Sequence, residues 1–174
     1  MPRSKVHGAS RGHIMLNGTE LAQTLQENGV THVVWIPDSE IGKWEPAILK
    51  QPGLELVRVT REGEAFGVAA GLLIGGKFPV VIVQCTGLFE AGDALRNVVH
   101  DLKLPLFLIV GVRGFLAAQK GPTADTCPRF AVPIMDAWQM PYRVLEENDS
   151  IDTIRETLQA LKTTGHAHAI LLPE

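Results

Sequence analysis

Two acidic residues at the start of a predicted helix are the first candidates for chemistry. Glu62 and Glu64 precede a segment rich in small residues, in which Gly67 and Gly71 are one turn apart. Each glycine costs roughly 1 kcal/mol in a helix relative to alanine, so we expect this helix to pack tightly against another backbone or a subunit. Acidic residues in a first turn can simply complement the helix dipole. Tight packing favours instead a carboxylate at a buried junction, where its ionisation could be tuned.

Three further segments place polar or glycine residues directly after an apolar run. Asp38 and Ser39 follow the first run, residues 84–90 (QCTGLFE) follow the third, and Arg113 follows the fourth. Thr86 could open a ligand-binding turn of backbone N–H groups, or it could cap an ordinary strand-to-helix turn. The Arg113 guanidinium could pair with an anionic substrate or with an internal carboxylate.

The elements that must position these residues alternate between helix and strand. Strand-like apolar runs occur at residues 31–36, 54–59, 79–83, 105–110, 142–145 and 167–172. Helical patterns lie between them, at residues 19–28, 41–50, 62–75, 89–101, 132–139 and 150–163. Residues 111–130 have no clear period and are predicted to form a long functional or mobile loop. This order predicts one three-layer α/β/α domain around a six-stranded parallel sheet.

The predicted sheet determines where a ligand site should be. In open parallel sheets, ligands bind beyond the carboxyl ends of the strands, where strand-to-helix loops converge. Each of the four polar segments follows a predicted strand. We therefore expect them to assemble one small-molecule site at a single edge of the sheet.

The composition fits a globular domain and excludes several functions. The 174 residues are 45% hydrophobic and carry a formal net charge of -3, which gives no electrostatic reason to bind nucleic acid. No run approaches the roughly 18 apolar residues of a membrane span, and no signal-peptide pattern is present, so a cytoplasmic protein is expected. The basic residues 1–13 are predicted to be a flexible tail, and residues 14–174 the domain.

The cysteines and histidines predict no metal site. Cys85 and Cys127 are too few for a disulfide framework and lack metal-ligand spacing, and Cys85 is predicted to be a packed small side chain. His166 and His168 are expected on one face of a strand. Two histidines without carboxylate or thiolate neighbours are a poor metal site.

The four segments resemble, in chain order, motifs of the pyrimidine-binding domain of phosphonopyruvate and sulfopyruvate decarboxylases. Residues 62–71 (EGEAFGVAAG) resemble their E-G-x-A-x-G-x-A-A-G stretch, and residues 84–88 (QCTGL) resemble their Q-N-S-G-L turn. Residues 36–39 (IPDS) are similar to V-P-D-S, and residues 111–114 (GVRG) to G-W-R-G. The four matches in register identify the chain as similar to this family over roughly residues 19–130.

The resemblance implies a thiamine-diphosphate-binding fold and decarboxylation of a 2-oxo acid. In this family, the acid aligned with Glu62 hydrogen-bonds the pyrimidine N1′ of the cofactor and so promotes deprotonation of the thiazolium ring. The cofactor contacts implied by the alignment are Glu62, Thr86, Gly87, Leu88 and Phe89. The predicted substrate contacts are Asp38, Ser39, Glu90 and Arg113.

The resemblance also implies a partner chain. The family holds the diphosphate through Mg2+, which is bound to a GDG motif and a downstream asparagine on a second domain. The nearest match here, Gly92-Asp93, lies in a predicted helix, with Asn97 much too close. We therefore expect a diphosphate-binding beta subunit that carries the GDG motif and the Mg2+, in a hetero-oligomer built on a dimer.

Departures from the family pattern leave the substrate open. The relatives continue G-L-G-N where this chain has Phe89 and Glu90, and a small anionic 2-oxo acid other than sulfopyruvate or phosphonopyruvate is plausible. Two alternatives remain. One is a thiamine-dependent carboligating enzyme that transfers an acyl group, and the other is a non-catalytic regulatory module of the same fold. Glu62 argues against the module, because a binding role needs no carboxylate there.

Overall fold

The computed structural model describes residues 16–146 and 150–174, and the predicted tail at residues 1–13 lies outside the described residues. The strands are β1 (His32–Trp35), β2 (Glu55–Arg58), β3 (Pro79–Gln84), β4 (Phe107–Val112), β5 (Tyr142–Val144) and β6 (His168–Pro173). The α-helices are α1 (Gly18–Glu27), α2 (Glu45–Lys50), α3 (Glu62–Ile74), α4 (Cys85–Glu90), α5 (Gly92–Arg96), α6 (Phe115–Ala118), α7 (Pro128–Ala137) and α8 (Ile151–Thr164). A 3-10 turn spans Ile41–Trp44, and a π turn spans Asn97–Asp101.

The six strands form one parallel sheet in the order β2-β1-β3-β4-β6-β5. β1 and β4 are buried along their whole length, whereas the edge strands β2 and β5 are partly exposed. Burial on both faces explains why the central strands are continuous apolar runs. The chain runs from β1 outward to β2 and then returns to add β3 on the other side of β1, so the strand order reverses between β1 and β3.

Helices cover both faces of the sheet, which confirms the predicted three-layer architecture. Trp35 and Phe107 lie in the core on one face, together with residues of α1, α2 and α8. Phe66, Leu88 and Leu108 lie in the core on the other face, together with residues of α3, α4, α5 and α7. Each face of the sheet is therefore closed by its own apolar layer.

The region after β3 differs from the prediction. A turn at residues 84–88 and a helix over 89–101 were expected, but α4 begins at Cys85, directly after the strand. Cys85 and Leu88 are three residues apart and both are buried, so one face of this first helical turn packs on the sheet. The helical segment is then divided into α4, α5 and the π turn. The residues after β3 are therefore helical because a helix allows Cys85 and Leu88 to be buried together on the sheet.

Two other segments also differ from the prediction. Residues 111–130 are not a continuous loop, because β4 extends to Val112, α6 forms within the segment, and α7 begins at Pro128. Proline at the first helical position is favoured, since its missing N–H has no intrahelical partner there. The expectation that His166 and His168 share a strand face is wrong, because β6 begins only at His168.

Candidate functional site

The turn after β1 is tied to the end of β3. Asp38 Oδ1 accepts hydrogen bonds from the backbone N–H groups of Glu40 (2.8 Å) and Ile41 (2.9 Å), which orders the 3-10 turn. Its other oxygen, Oδ2, accepts from Gln84 Nε2 at 3.0 Å. This contact crosses between β1 and β3, where the strand order reverses. That position is the expected ligand-binding edge of an open parallel sheet.

Glu62 and Gly87 are brought into direct contact. Glu62 is the first residue of α3, and its half-buried side chain lies against the backbone of Gly87 in α4. A Cβ added at Gly87 would be 2.3 Å from Glu62 Cγ and 2.4 Å from Glu62 Oε1. Since real Cβ atoms do not approach so closely, Gly87 is required for the observed position of the carboxylate.

The side-chain amide of Gln84 joins the two halves of this edge. Thr86 Oγ1 donates to Gln84 Oε1 at 2.9 Å, while Gln84 Nε2 donates to Asp38. Gln84 belongs to the QCTGL turn and is not predicted as a site residue from the sequence. One feature of the sequence does distinguish Gln84, because it is the polar last residue of a strand that is otherwise apolar.

Leu88 and Phe89 belong mainly to the core. The Leu88 side chain is fully buried on the sheet, and the half-buried Phe89 packs against the same cluster. In this arrangement, only the backbone of Leu88 can reach a ligand. A cofactor contact at Leu88 or Phe89 would therefore be a backbone or apolar contact, whereas the contact predicted for Glu62 is a hydrogen bond to its carboxylate.

Glu90 is directed at the beginning of α3. Its Oε2 accepts from the backbone N–H of Gly63 at 3.1 Å, and its Oε1 pairs with Arg61. The hydrogen bond from Arg61, followed by the one from Gly63, holds the pKa of Glu90 below its ordinary value. The Glu90 carboxylate is therefore ionised, and its negative charge is paired with the positive charge of Arg61. The charge that Glu90 adds to the predicted pocket is thus compensated locally.

Arg113 and Ser39 remain accessible at the same edge. The Arg113 side chain is 62% exposed, and its Nε lies 3.7 Å from Asp125 Oδ2. Ser39 is exposed in the turn that follows β1. A weak, solvent-exposed ion pair of this kind contributes little to stability, so Arg113 is free to exchange Asp125 for an anionic ligand.

Glu174 is a carboxyl group at this edge that the sequence did not single out. It follows β6, and only 8% of the residue is exposed. Its backbone continues the pairing of β6 with β4, since Glu174 N donates to Val112 O and Glu174 O accepts from Gly114 N. Nothing in the sequence distinguishes a buried acid after the last strand from a solvated one.

Glu64 and the glycines of α3 have separate roles from Glu62. Glu64 Oε2 accepts from Thr60 N at 3.0 Å and from Thr60 Oγ1 at 3.2 Å, and these bonds lower its pKa. An added Cβ at Gly67 or Gly71 would meet nothing within 4 Å. The expected tight packing of these glycines therefore does not occur within the described part of this chain.

The two cysteines form a disulfide, Cys85–Cys127, with 6.9 Å between their Cα atoms. Cys85 is a buried, packed side chain, as predicted, and the bridge to Cys127 is an additional feature that was not predicted. The bridge links the start of α4 to the residue before α7, which the sequence could not reveal because 41 residues separate the two positions. In residues 16–146 and 150–174, no cluster of three or more metal-binding side chains occurs, and no helix there is long and apolar enough to cross a membrane.

Two solved structures share the fold of this chain. One is benzoylformate decarboxylase from Polynucleobacter necessarius, with a TM-score of 0.70 and 19% identity, covering 91% of this chain and 30% of that one. The other is described as a split gene transketolase, inactive beta4 tetramer, with a TM-score of 0.62 and 21% identity, covering 90% of this chain and 49% of that one. Such identities establish the three-layer fold alone.

The chain belongs to the family described as thiamine pyrophosphate enzyme, N-terminal TPP binding domain, whose match covers residues 16–131. Phosphonopyruvate decarboxylase of Streptomyces viridochromogenes is 26% identical over 164 residues, which are 92% of this chain and 41% of that protein. Sulfopyruvate decarboxylase subunit alpha of Methanothermobacter thermautotrophicus is 27% identical over 153 residues, covering 85% of this chain and 90% of that subunit. The chain spans about two fifths of the length of the phosphonopyruvate decarboxylases that it matches.

Proposed function

We propose that this chain is the pyrimidine-binding subunit of a thiamine-diphosphate-dependent enzyme that decarboxylates a small anionic 2-oxo acid. The supporting observation is the position of Glu62, at the first residue of α3 and against a glycine that admits no side chain. The edge of the sheet where ligands are expected also carries Asp38 and Arg113. The choice of cofactor follows from the family to which the chain belongs. The roles proposed for individual residues follow from their positions in the site.

The residues present fit the aminopyrimidine end of the cofactor. The Glu62 carboxylate is half-buried, and it lies against the buried backbone of Gly87, in the space where a side chain at that position would stand. Glu62 would hold the pyrimidine ring by a hydrogen bond to its N1′ atom. Thiamine diphosphate, when bound, supplies the carbon nucleophile and the electron sink of the reaction.

The chain's own residues then orient the substrate. Arg113 is exposed at the edge of the sheet and offers a planar donor pair that matches a carboxylate. Asp38 is ordered by two backbone N–H groups and by Gln84, so its position is defined before a ligand arrives. Glu90 is matched by Arg61 and does not add a free negative charge. Of these groups, Arg113 is therefore the one that would bind the anionic end of the substrate.

We also propose a partner chain that binds the diphosphate through a GDG motif and Mg2+. The related sulfopyruvate decarboxylase chains are named as alpha subunits. Asp93 follows Gly92 in α5, where it pairs with Arg96 at 2.9 Å. This carboxylate is engaged on a helix surface, which is not the loop geometry that a diphosphate-Mg2+ site requires. The partner would supply that half of the cofactor site.

Reconstitution tests the proposed function. The purified chain is mixed with a GDG-containing chain from the same genome, thiamine diphosphate and Mg2+, and CO2 release is measured for a panel of small 2-oxo acids. We expect CO2 only from the mixture, with either chain alone as the control. A cofactor-loaded complex that releases no CO2 from any of them would refute the proposal. Adding an acceptor aldehyde separates decarboxylation, which the names of the relatives favour, from carboligation.

The exposed face of α3 yields a prediction about assembly. Gly67 and Gly71 have open space where a Cβ would lie, and Ile74 on the same helix is 71% exposed. Gly71→Ala should therefore raise the free energy of unfolding of the chain alone, by about 0.5–1 kcal/mol. If the partner packs on this face, the added methyl costs about 1–3 kcal/mol of association free energy.

Denaturant unfolding and titration with the partner measure these two opposite effects. The matched control is Thr163→Ala on the exposed surface of α8, which should raise helix stability without changing the dissociation constant. Unchanged partner affinity in Gly71→Ala and Gly67→Ala would exclude this face from the interface.

A further inference from the structure

Glu174 occupies a space that a glycine leaves open. A Cβ added at Gly111, in β4, would lie 2.6 Å from Glu174 Oε1 and 2.7 Å from Ile41 Cδ1. The main chain of Glu174 is held by Val112 O and by the N–H of Gly114. The carboxyl group is therefore held at the carboxyl edge of the sheet, with 8% of the residue exposed.

The charged neighbours of Glu174 come from two turns. Asp38 and Glu40 lie after β1, and Arg113 lies after β4. No donor in residues 16–146 or 150–174 reaches either carboxyl oxygen of Glu174. Both carboxyl oxygens of Asp38 already accept hydrogen bonds, from two backbone N–H groups and from Gln84. The two carboxyl groups can bond to each other only if one of them retains a proton.

Burial of the Glu174 carboxyl favours its neutral form. Its pKa is raised to about 8, first by burial, then by the negative charge of Asp38 and the hydrogen bond to Asp38, and also by Glu40. Arg113 opposes this shift. Two unmatched carboxylates side by side would repel each other, and sharing one proton removes that repulsion.

We propose that Glu174 is a positioning residue for the proposed decarboxylation, because its buried carboxyl group, which no donor in the described part of the chain reaches, shares one proton with the carboxyl group of Asp38. The pair then presents one negative charge, not two, to the anionic 2-oxo acid. This inference rests on the proposed function and explains how an acidic edge admits an anion. Glu174 acts through Asp38 and need not touch the substrate.

The proposal predicts a specific dependence on pH. Above a pH of about 8, Glu174 ionises and places a second negative charge beside Asp38. The KM of the assembled enzyme for its 2-oxo acid should then rise about tenfold per pH unit, because only the protonated form binds well. A loss of turnover that leaves KM unchanged would contradict this assignment.

Two substitutions at Glu174 distinguish the effect of its ionisation from the effect of its hydrogen bond to Asp38. Glu174→Gln can still donate a hydrogen bond to Asp38 but cannot ionise, so the alkaline rise in KM should disappear. Glu174→Leu can neither ionise nor donate, so it should also lose the alkaline rise, while its KM at neutral pH should exceed that of Glu174→Gln because Asp38 loses the hydrogen bond. The control is Glu40→Gln, which alters a carboxylate beside the same turn, paired with Lys43, and should retain the alkaline rise at a somewhat lower pH, because Glu40 also raises the pKa of Glu174. The same alkaline rise in Glu174→Gln as in the unaltered enzyme would overturn the proposal.

A titration of the full, unaltered chain gives an answer that does not depend on activity or on the folding of a variant. The carboxyl carbon of Glu174, labelled with 13C and assigned through the backbone, should titrate near pH 8 in the absence of cofactor and partner. A midpoint near the ordinary value of 4.5 would refute the shared proton. If the assembled enzyme releases no CO2, the proposed function fails, while this titration still decides the state of Glu174.

Discussion

Replacing Glu62 with glutamine should lower kcat of the assembled enzyme by about 10²–10⁴-fold, the range expected when a positioned acid–base group is lost. Glutamine preserves the size of the side chain, so its contact with Gly87 should persist. The free energy of unfolding should change by less than about 0.5 kcal/mol, because Glu62 is only half-buried at a helix end. Initial rates of CO2 release and denaturant unfolding of the same preparation measure the two effects.

Glu64→Gln is the matched control for this result. Glu64 lies two residues further along α3, and its carboxylate accepts hydrogen bonds from Thr60 N and Oγ1. Removing its charge should weaken those bonds and lower stability while leaving kcat nearly unchanged. If the two variants lost activity equally, the chemistry would not belong to Glu62. If Glu62→Gln retained nearly full activity, the assignment of the activating carboxylate would be wrong.

Gly87→Ala should have an effect of comparable size on kcat, although it adds only a methyl group. Its Cβ would lie 2.3 Å from Glu62 Cγ, so the Glu62 side chain must move. A displacement of about 1 Å in a catalytic group can reduce the rate by about 10²-fold. The free energy of unfolding should change much less than kcat, because the atoms that the new methyl group meets belong to a flexible, half-buried side chain that can move. Cofactor titration should also reveal weaker binding.

A double-mutant cycle identifies the cause of that loss. In the Glu62→Gln background, Gly87→Ala should reduce kcat little further, since the carboxylate that it displaces is already absent. The control is Gly63→Ala, whose Cβ would make ordinary contacts with Glu90 Oε2 (3.7 Å) and Ala94 Cβ (3.9 Å). Additive losses in the double variant would show that Gly87 acts independently of Glu62.

The local signals in the sequence predicted much of this fold. Alternating helical and apolar runs predicted all six strands and the three layers, because parallel strands buried on both faces must be continuously apolar. Glu62 as the first residue of α3 was also predictable, and the structure has this helix at Glu62–Ile74. The rule that ligands bind at the carboxyl ends of strands selects the segments of Asp38 and Gly87 from the sequence alone.

Other features could not be predicted because they depend on contacts between distant segments. The early start of α4 follows from burial of Cys85 and Leu88 on the sheet, not from helix propensity. The link from Gln84 to Asp38 spans 46 positions in the chain. The burial of Glu174 requires β6 to lie beside β4 and Gly111 to lack a side chain.

The local sequence was therefore enough to predict the elements of the fold, and it supports the proposal of a site at the carboxyl edge of the sheet with Glu62 as the candidate carboxylate. Periodicity and composition are local properties, and they report which face of each element is apolar. The tertiary structure alone decided which side chains meet across that edge, since the strand order brings β1, β3, β4 and β6 together. Glu62 thereby has Gly87 as its neighbour, and Glu174 has Asp38.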